Sequence, residues 1–475
     1  MIRKGSKMEV QSDVIQNPRI LLTAPWEPVI VRRGDALGLR ALADQFAESI
    51  AADLSNRIRD GRWVTILAWC LARSHEAFHA RGDRSLTTRT QQRERYAWLR
   101  PLELMWVART ISLAEDWRDR SLAGQRRVRP WYEYDNKSTD RFGMSVDQFR
   151  AYRQTGMYGG YRLIFRKWIG MTVQGDGWTP GSSANRLAKW LDERLAAARP
   201  PWPLSLGDDH ENSPLKQKPK LGQGYQQHDW WLRQWKSFDH GSRGADKNTL
   251  PRRKDDFDKL PEFDLLKPLV FGDDGKGQRR LKVARAVAKA AASDHREVCE
   301  HLSRVFANDR VIAMLPRFTR LADAGMEAMD VIAKTLGSKS SVQLTDVAKL
   351  DSAKTACREL VAAAKAWRMN ADVQLRHVEM AHRFASSMSN SQTNQSLRDL
   401  LQHHEMYGGG LRWFVLRNGR IEPRTPPRAG SSRYRFRLWS LCRLATQCGV
   451  LRNMPRAISG DFEAKEDEAE GAADE

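Results

Sequence analysis

The sequence predicts a mainly α protein with an N-terminal helical domain, a C-terminal helical bundle and a small β-hairpin near the C-terminus. Three observations carry this reading. Apolar residues recur three and four positions apart through most of the chain, the spacing that lines one face of a helix. Between about 200 and 277 that pattern gives way to stretches rich in Pro, Gly and polar residues, which divides it in two. The pair Asn418-Gly419 sits between two short β-prone runs, as a tight hairpin turn requires. A chain of 475 residues exceeds one ordinary core, and 41% hydrophobic residues suffice to build two or three. The expected divisions are 1–199, a basic helical domain; 200–277, a linker region with a short aromatic helix; 278–460, a helical domain with hairpin and basic loop; and 461–475, a disordered acidic tail.

Taken in order, residues 1–34 read as extended, with short apolar runs at Ile20–Leu22 and Val29–Val31 broken by Pro25 and Pro28. Asp35 is a candidate N-cap for a helix whose inner face is Leu39, Leu42, Phe46, Ile50 and Leu54. A second helix covers about Trp63–His79, with Trp63, Ile66, Leu67, Cys70 and Leu71 on one face, and a third runs from Leu102 to Trp117. Ser145–Gln148 has the form of a capping box. Tyr161–Ile169 fits a helix or a buried strand. Ser183 is a candidate cap for a helix with Leu187, Trp190, Leu191 and Leu195 inside, stopped by Pro200-Pro201. After the linker, Tyr225, Trp230, Trp231 and Trp235 mark a short helix, and 241–257 is loop-like. Helical segments follow over 279–293, 296–307, 310–336, 346–368, 372–388 and 395–406. They pack as a bundle, without a fixed-period repeat. Trp413–Leu416 and Arg420–Glu422 form the hairpin, and a last helix spans Phe436–Cys448.

Charge is the strongest compositional signal. Lys and Arg number 79 against 58 acids, for a net of +21. The last fifteen residues carry −7, so the body carries +28. Such a body attracts polyanions. The longest apolar run, near Val64–Leu71, is far short of the ~20 residues of a spanning helix, so no membrane partner is expected. The N-terminus has no apolar stretch of the secretory kind. Five scattered cysteines suit a reducing cytoplasm better than a disulfide framework, and no Cys-x-x-Cys pair suggests zinc.

Two clusters could hold phosphate. In the first, Arg118, Arg120, Arg126, Arg127 and Arg129 crowd between Trp117 and Trp131. Arg150, Arg153, Arg162, Arg166 and Lys167 then alternate with Tyr152, Tyr158, Tyr161, Phe165 and Trp168. Guanidinium groups contact phosphates, and aromatic rings stack on bases. The same pattern also fits aromatics in a core with arginines on a solvated face. The second cluster, Arg424, Arg428, Arg433, Arg435 and Arg437, lies in a stretch with two prolines and no acid. A flexible basic loop feeding a helix N-terminus is a natural phosphate site. These arginines are expected to lie outside any core.

Catalytic motifs are harder to place. His403-His404-Glu405 invites a metal, but adjacent helical residues point about 100° apart. The spacing of two His around Glu-x-x fails there, and also at His377 and His382. Gly272–Gly277 lacks the P-loop spacing. No Gly-x-Ser-x-Gly elbow occurs, and Glu463-Ala464-Lys465 sits in the acidic tail. No cofactor is implied and no metal site is expected.

Gly34–Leu39, followed by Leu54–Arg57, Arg59, Arg62-Trp63 and Ala68-Trp69, together with His404 and Gly409–Phe414, resemble segments of an uncharacterised family of bacterial proteins encoded among anti-phage defence genes. The resemblance covers about a tenth of the chain and departs from that pattern in the middle third. It implies an accessory protein of a multi-gene defence system and carries over no catalytic residue.

The resulting expectation is a cytoplasmic, non-enzymatic subunit that binds nucleic acid, DNA first. A helicase, nuclease or ATPase partner would do the chemistry. The alternatives are a metal-dependent nuclease assembled from distant residues and a scaffold for an acidic protein. The tail offers a direct check. An acidic segment tethered to a basic body competes with DNA at an effective concentration on the order of mM. Truncation after Gly460 should raise non-specific DNA affinity at low ionic strength in an anisotropy titration. Equal affinities of the two forms would assign the tail to solubility alone.

Overall fold

Asp35 opens the part of the chain described by the computed structural model, which covers residues 35–80, 99, 102–111, 113–120, 122–123, 125, 128–129, 156–197, 249–369, 375–408, 412–424 and 434–459. The extended N-terminal region, the capping box at Ser145, the linker at 200–224 with its aromatic helix, and the acidic tail lie outside these residues. The described chain is mostly helical, with one small antiparallel sheet.

Asp35 is not the N-cap expected of it, since Leu39 holds that position, but its side chain still serves the start of the helix. Its carboxylate accepts the amides of Leu39 at 3.1 Å and Arg40 at 2.8 Å, across a turn that Gly38 closes at φ 70°. Helix α1 (Arg40–Ile50) then buries Leu42, Phe46 and Ile50, the predicted face. Helix α2 (Arg62–Ala80) is buried on more than the predicted stripe, since Val64, Thr65, Ala68 and Trp69 are also inside. It is a central helix. Helix α3 (102–111) covers one side of it, with Trp106 edge-on to Trp69 at 5.9 Å.

The ambiguous segment at 161–169 is the end of a helix, α4 (Met157–Lys167). Helix α5 (Ser182–Ala197) starts at Ser182 and lies along α2, with Ala184, Leu187, Ala188 and Leu191 buried. Ser183 is not its cap: the hydroxyl donates instead to the carbonyl of Ile169 at 3.1 Å. Asp192 fastens α5 to α2 by accepting from Trp69 Nε1 and Arg73.

Packing crosses the expected domain boundaries. Helix α6 (Phe263–Phe271) lies in the region read as linker, yet Leu266, Val270 and Phe271 are buried. Pro268 inside it, and its length of nine residues, hid the helical period. Next come α7 (Gly275–Lys289), α8 (His295–Val305), α9 (Arg310–Ala313) and α10 (Leu315–Leu336). The first three are capped by Asp274, Asp294 and Asp309. Strand β1 (Val342–Gln343) leads into α11 (Leu344–Lys349), α12 (Asp351–Met369), α13 (Val378–Ser387) and α14 (Thr393–Tyr407). Helix α1 packs on α7, α9 and α13, so the first and last thirds of the described chain share one core.

The hairpin forms as predicted. Strands β2 (Phe414–Arg417) and β3 (Arg420–Pro423) pair across Asn418 at φ 48° and Gly419 at φ 75°. Strand β1 adds to β3, with Val342 opposite Ile421, giving the order β1-β3-β2. Helix α15 (Leu438–Gln447) is buried along its whole length, and α16 (Arg456–Ser459) ends the described chain.

A buried polar network ties the irregular segment 249–262 to the helices. Asp60, 1% exposed, accepts from the Arg62 amide at 3.0 Å, Gln447 Nε2 at 3.0 Å and the Arg252 amide at 2.6 Å. The Tyr161 hydroxyl accepts the amides of Arg59 and Asp60, both at 3.0 Å, and donates to the Asp60 carbonyl at 2.9 Å. Glu262 pairs with Arg62 at 2.9 Å and accepts from Thr65 at 3.0 Å. Burial raises the Glu262 carboxyl and lowers the Arg62 guanidinium, so desolvation weighs against the pair from both sides.

His403 and His404 join the first turn to the hairpin. His403 Nε2 donates to the Leu37 carbonyl at 3.0 Å, and His404 Nδ1 donates to the Ala36 carbonyl at 2.8 Å. His404 Nε2 accepts the Trp413 amide at 2.9 Å, which fixes a neutral tautomer. Burial lowers the pKa of both rings. The unfolded chain takes up these protons near pH ~6.5, where the folded chain still resists them. Stability should therefore be full above that pH and fall as pH drops below it. The fall is at most about 1.4 kcal/mol per pH unit for each histidine, and it ends once the folded rings protonate. Urea unfolding at pH 7.5 and 5.5 should show the loss, and His404→Gln should reduce it.

Candidate nucleic-acid interface

The predicted cations separate into three groups. Arg126, Arg127, Arg150, Arg153, Arg428 and Arg433 lie outside the described residues. A second group serves the fold. Arg120, expected at the surface, is 7% exposed: it pairs with Asp116 at 2.8 Å and donates to the Pro251 carbonyl. It holds the one-turn helix Trp117–Asp119 against residues 251–254, where the Lys254 amide also donates to the Asp119 carbonyl at 2.8 Å. Arg437 sits in the left-handed region at φ 62°, with a side chain only 14% exposed. It donates to Glu48 at 2.6 Å and to the Ala51 carbonyl at 3.3 Å, fastening the start of α15 to the end of α1. Arg435 and Arg162 are half-buried.

The third group faces solvent. Arg118 is exposed, its guanidinium carbon 4.8 Å from the centre of the Trp117 ring; Arg129, which is half-buried, lies 5.8 Å from the same ring. Arg424 is exposed just beyond β3. Arg166 and Lys167 are exposed on the last turn of α4, where cations also suit the helix dipole.

The aromatic half of the α4 interleave is core. Tyr158, Tyr161, Phe165 and Trp168 are all buried, with Tyr158 against Phe165 at 5.3 Å and Trp178 at 5.2 Å. Of the two readings the pattern allowed, the helix adopts the one with aromatics inward and charges outward. Tyr152 lies outside the described residues.

Two further exposed cations escaped the sequence reading. Arg186 and Lys189 are exposed on α5, opposite buried Leu187 and Leu191. They form no run in sequence. Their signal is the three-residue spacing on the polar face of a helix. Contacts of Gly170 with Ser182 and Ser183 place the start of α5 against the end of α4. Arg166 and Lys167 are thus exposed on the last turn of α4 and Arg186 and Lys189 on the first two turns of α5, and no described acid pairs with any of them. Glu193 is the exposed acid on the α5 face, while Asp192 is engaged with α2.

Other chemistry finds less support. Among the described residues, no group of three or more His, Cys, Asp or Glu gathers as a metal set. The five cysteines are buried, and burial pushes the thiols of Cys357 to about 11 and Cys442 to about 12, with Cys70 and Cys448 also raised. None of these four is poised as a thiolate. No described helix is long and apolar enough to cross a membrane.

No protein family model matches the chain, and neither curated proteins nor solved structures give a match.

The position of Arg437 reverses the expectation that its cluster lies wholly outside the core. Arg437→Ala should cost about 1 kcal/mol or more, because it removes the hydrogen bonds of a mostly buried guanidinium to Glu48 Oε2 and the Ala51 carbonyl. A thermal melt reads the loss, and an unchanged midpoint would return Arg437 to the surface set.

Proposed function

We propose that this chain grips nucleic-acid backbone, DNA in the first place, as a non-enzymatic accessory subunit of a bacterial defence assembly. Its chemistry would come from a helicase, nuclease or ATPase partner. The observation that carries the binding reading is the set of exposed cations at the end of α4 and the start of α5. Four exposed cations stand there with no described acid paired to them, while the buried arginines are committed to the fold. Phosphate binding releases counterions from the nucleic acid, and cations unpaired in the free protein can form these contacts without first breaking an ion pair.

The resemblance to defence-associated proteins bears on fold more than on site. Its two halves meet in space, since the turn at Asp35–Gly38 is held by His403 and His404, and His404 also takes the Trp413 amide. The matching segments are therefore those that close the core.

Four phosphate contacts imply a log–log dependence of affinity on salt with a slope of about −3.6 on duplex DNA. Anisotropy titrations between 50 and 200 mM salt should show affinity falling by roughly a hundredfold. The combined substitution Arg166→Ala, Lys167→Ala, Arg186→Ala and Lys189→Ala should weaken binding and flatten the slope, with little effect on the thermal midpoint. A slope near zero in the unmodified protein, or an unchanged slope in the variant, would sink this reading.

A further inference from the structure

The loop from Trp168 to Gly181 joins the two helices of the basic surface, and it exposes two apolar residues. Ile169 is 71% exposed and Val173 is 47% exposed. The neighbours of Ile169 point inward: Trp168 and Met171 are buried. The backbone between them is held firmly. Gly170 takes φ 72°, and its carbonyl accepts the Ser183 amide at 2.8 Å. The Gly181 amide donates to the Met171 carbonyl at 3.0 Å, and Thr172 Oγ1 donates to the Phe165 carbonyl at 2.6 Å. Asp176 closes the far side by accepting the amides of Trp178 at 2.7 Å and Thr179 at 2.9 Å. A Cβ on Gly181 would lie 2.3 Å from the Gly170 carbonyl oxygen, so the two strands of the loop touch. The Ile169 carbonyl also accepts the Ser183 hydroxyl at 3.1 Å, so the backbone is held at this residue itself.

Single exposed apolar side chains are common and need no explanation. Val305, Leu350, Met369 and Met406 are of that kind, each at or near the end of a different helix. Ile169 differs in two respects. It shares its loop with a second exposed branched residue, and it follows Lys167 by two residues while its carbonyl takes the hydroxyl of Ser183, three residues before Arg186. A rigid apolar tip beside cations matches a duplex entered through its minor groove. The cations meet phosphates, and the branched side chain enters a base step, unstacks it and kinks the helix axis.

We infer that Ile169 is a wedge for double-stranded DNA, with Val173 supporting it, and that the protein bends the duplex it binds. This rests on the backbone-binding reading of the same surface. It adds the form of the nucleic acid and the manner of the contact. A single strand has no closed stack to prise apart, so the duplex is the favoured form.

The test is energy transfer between dyes at the two ends of a 30-base-pair duplex, with the full chain added at low salt. The unmodified protein should shorten the end-to-end distance and bind the duplex more tightly than the matching single strand. Ile169→Ser should bind within about threefold of the unmodified protein with the same salt slope, and lose most of the bend; Ile169→Leu should restore it. Binding with no bend, a bend that Ile169→Ser leaves intact, or tighter binding to the single strand would overturn the wedge and leave the backbone-binding reading standing. Absence of any salt-dependent DNA binding would remove both. Vesicles containing anionic lipid supply the remaining arm: if Ile169→Ser abolishes co-sedimentation with them and leaves DNA bending unchanged, the tip belongs to a lipid surface.

Discussion

The carboxylate of Asp60 draws together distant parts of the described chain. A buried charge is costly unless its lone pairs are filled. Here they are filled from three separated stretches of chain: the start of α2, the irregular segment at 252 and the end of α15. Tyr161 brings in α4 by closing on the backbone of the same residue. Each partner is in turn held elsewhere. The Gln447 side chain also accepts the Gly61 amide, and its carbonyl accepts from Leu260. Four elements therefore meet at one point whose hydrogen bonds must be satisfied together, which makes their relative placement specific in a way apolar contact alone does not.

Buried arginines play the complementary part. Arg120, Arg280 and Arg443 direct their guanidinium groups at backbone carbonyls of Pro251, of Val270 and Ala52, and of Arg253 and Lys254. Irregular backbone inside a protein leaves carbonyls without helical partners, and a planar group with five donors can serve several at once. Part of the positive charge of this chain thus works as internal stapling. Net charge taken from composition overstates the surface available to a polyanion by that amount.

The helices were legible because their apolar residues keep the helical period, and the hairpin because Asn418-Gly419 suits a turn with both residues at positive φ. What was hidden has physical reasons. Strand β1 is two residues long and exists only because β3 is beside it. The segment 249–262 has no period, and its burial depends on Asp60, Arg443 and Gln447, all distant in sequence. For the candidate site, the run of arginines announced charge but not direction. Arg118 and Arg120 are two residues apart, and one is exposed while the other is inside. Arg186 and Lys189 were missed because a helix face places cations together without placing them consecutively.

The joining of Gly61 to Gln447 spans 386 residues, and that of Leu37 to His403 spans 366. Helices α1 and α2 are therefore made several hundred residues before the partners that close over them. At roughly 5–20 residues per second, the gap is about 20–80 seconds. Phe46 lacks its native ring contacts until Phe318 and then Phe436 have been made. Vectorial synthesis therefore sets a delay, between making one side of these contacts and making the other, that the native state does not record.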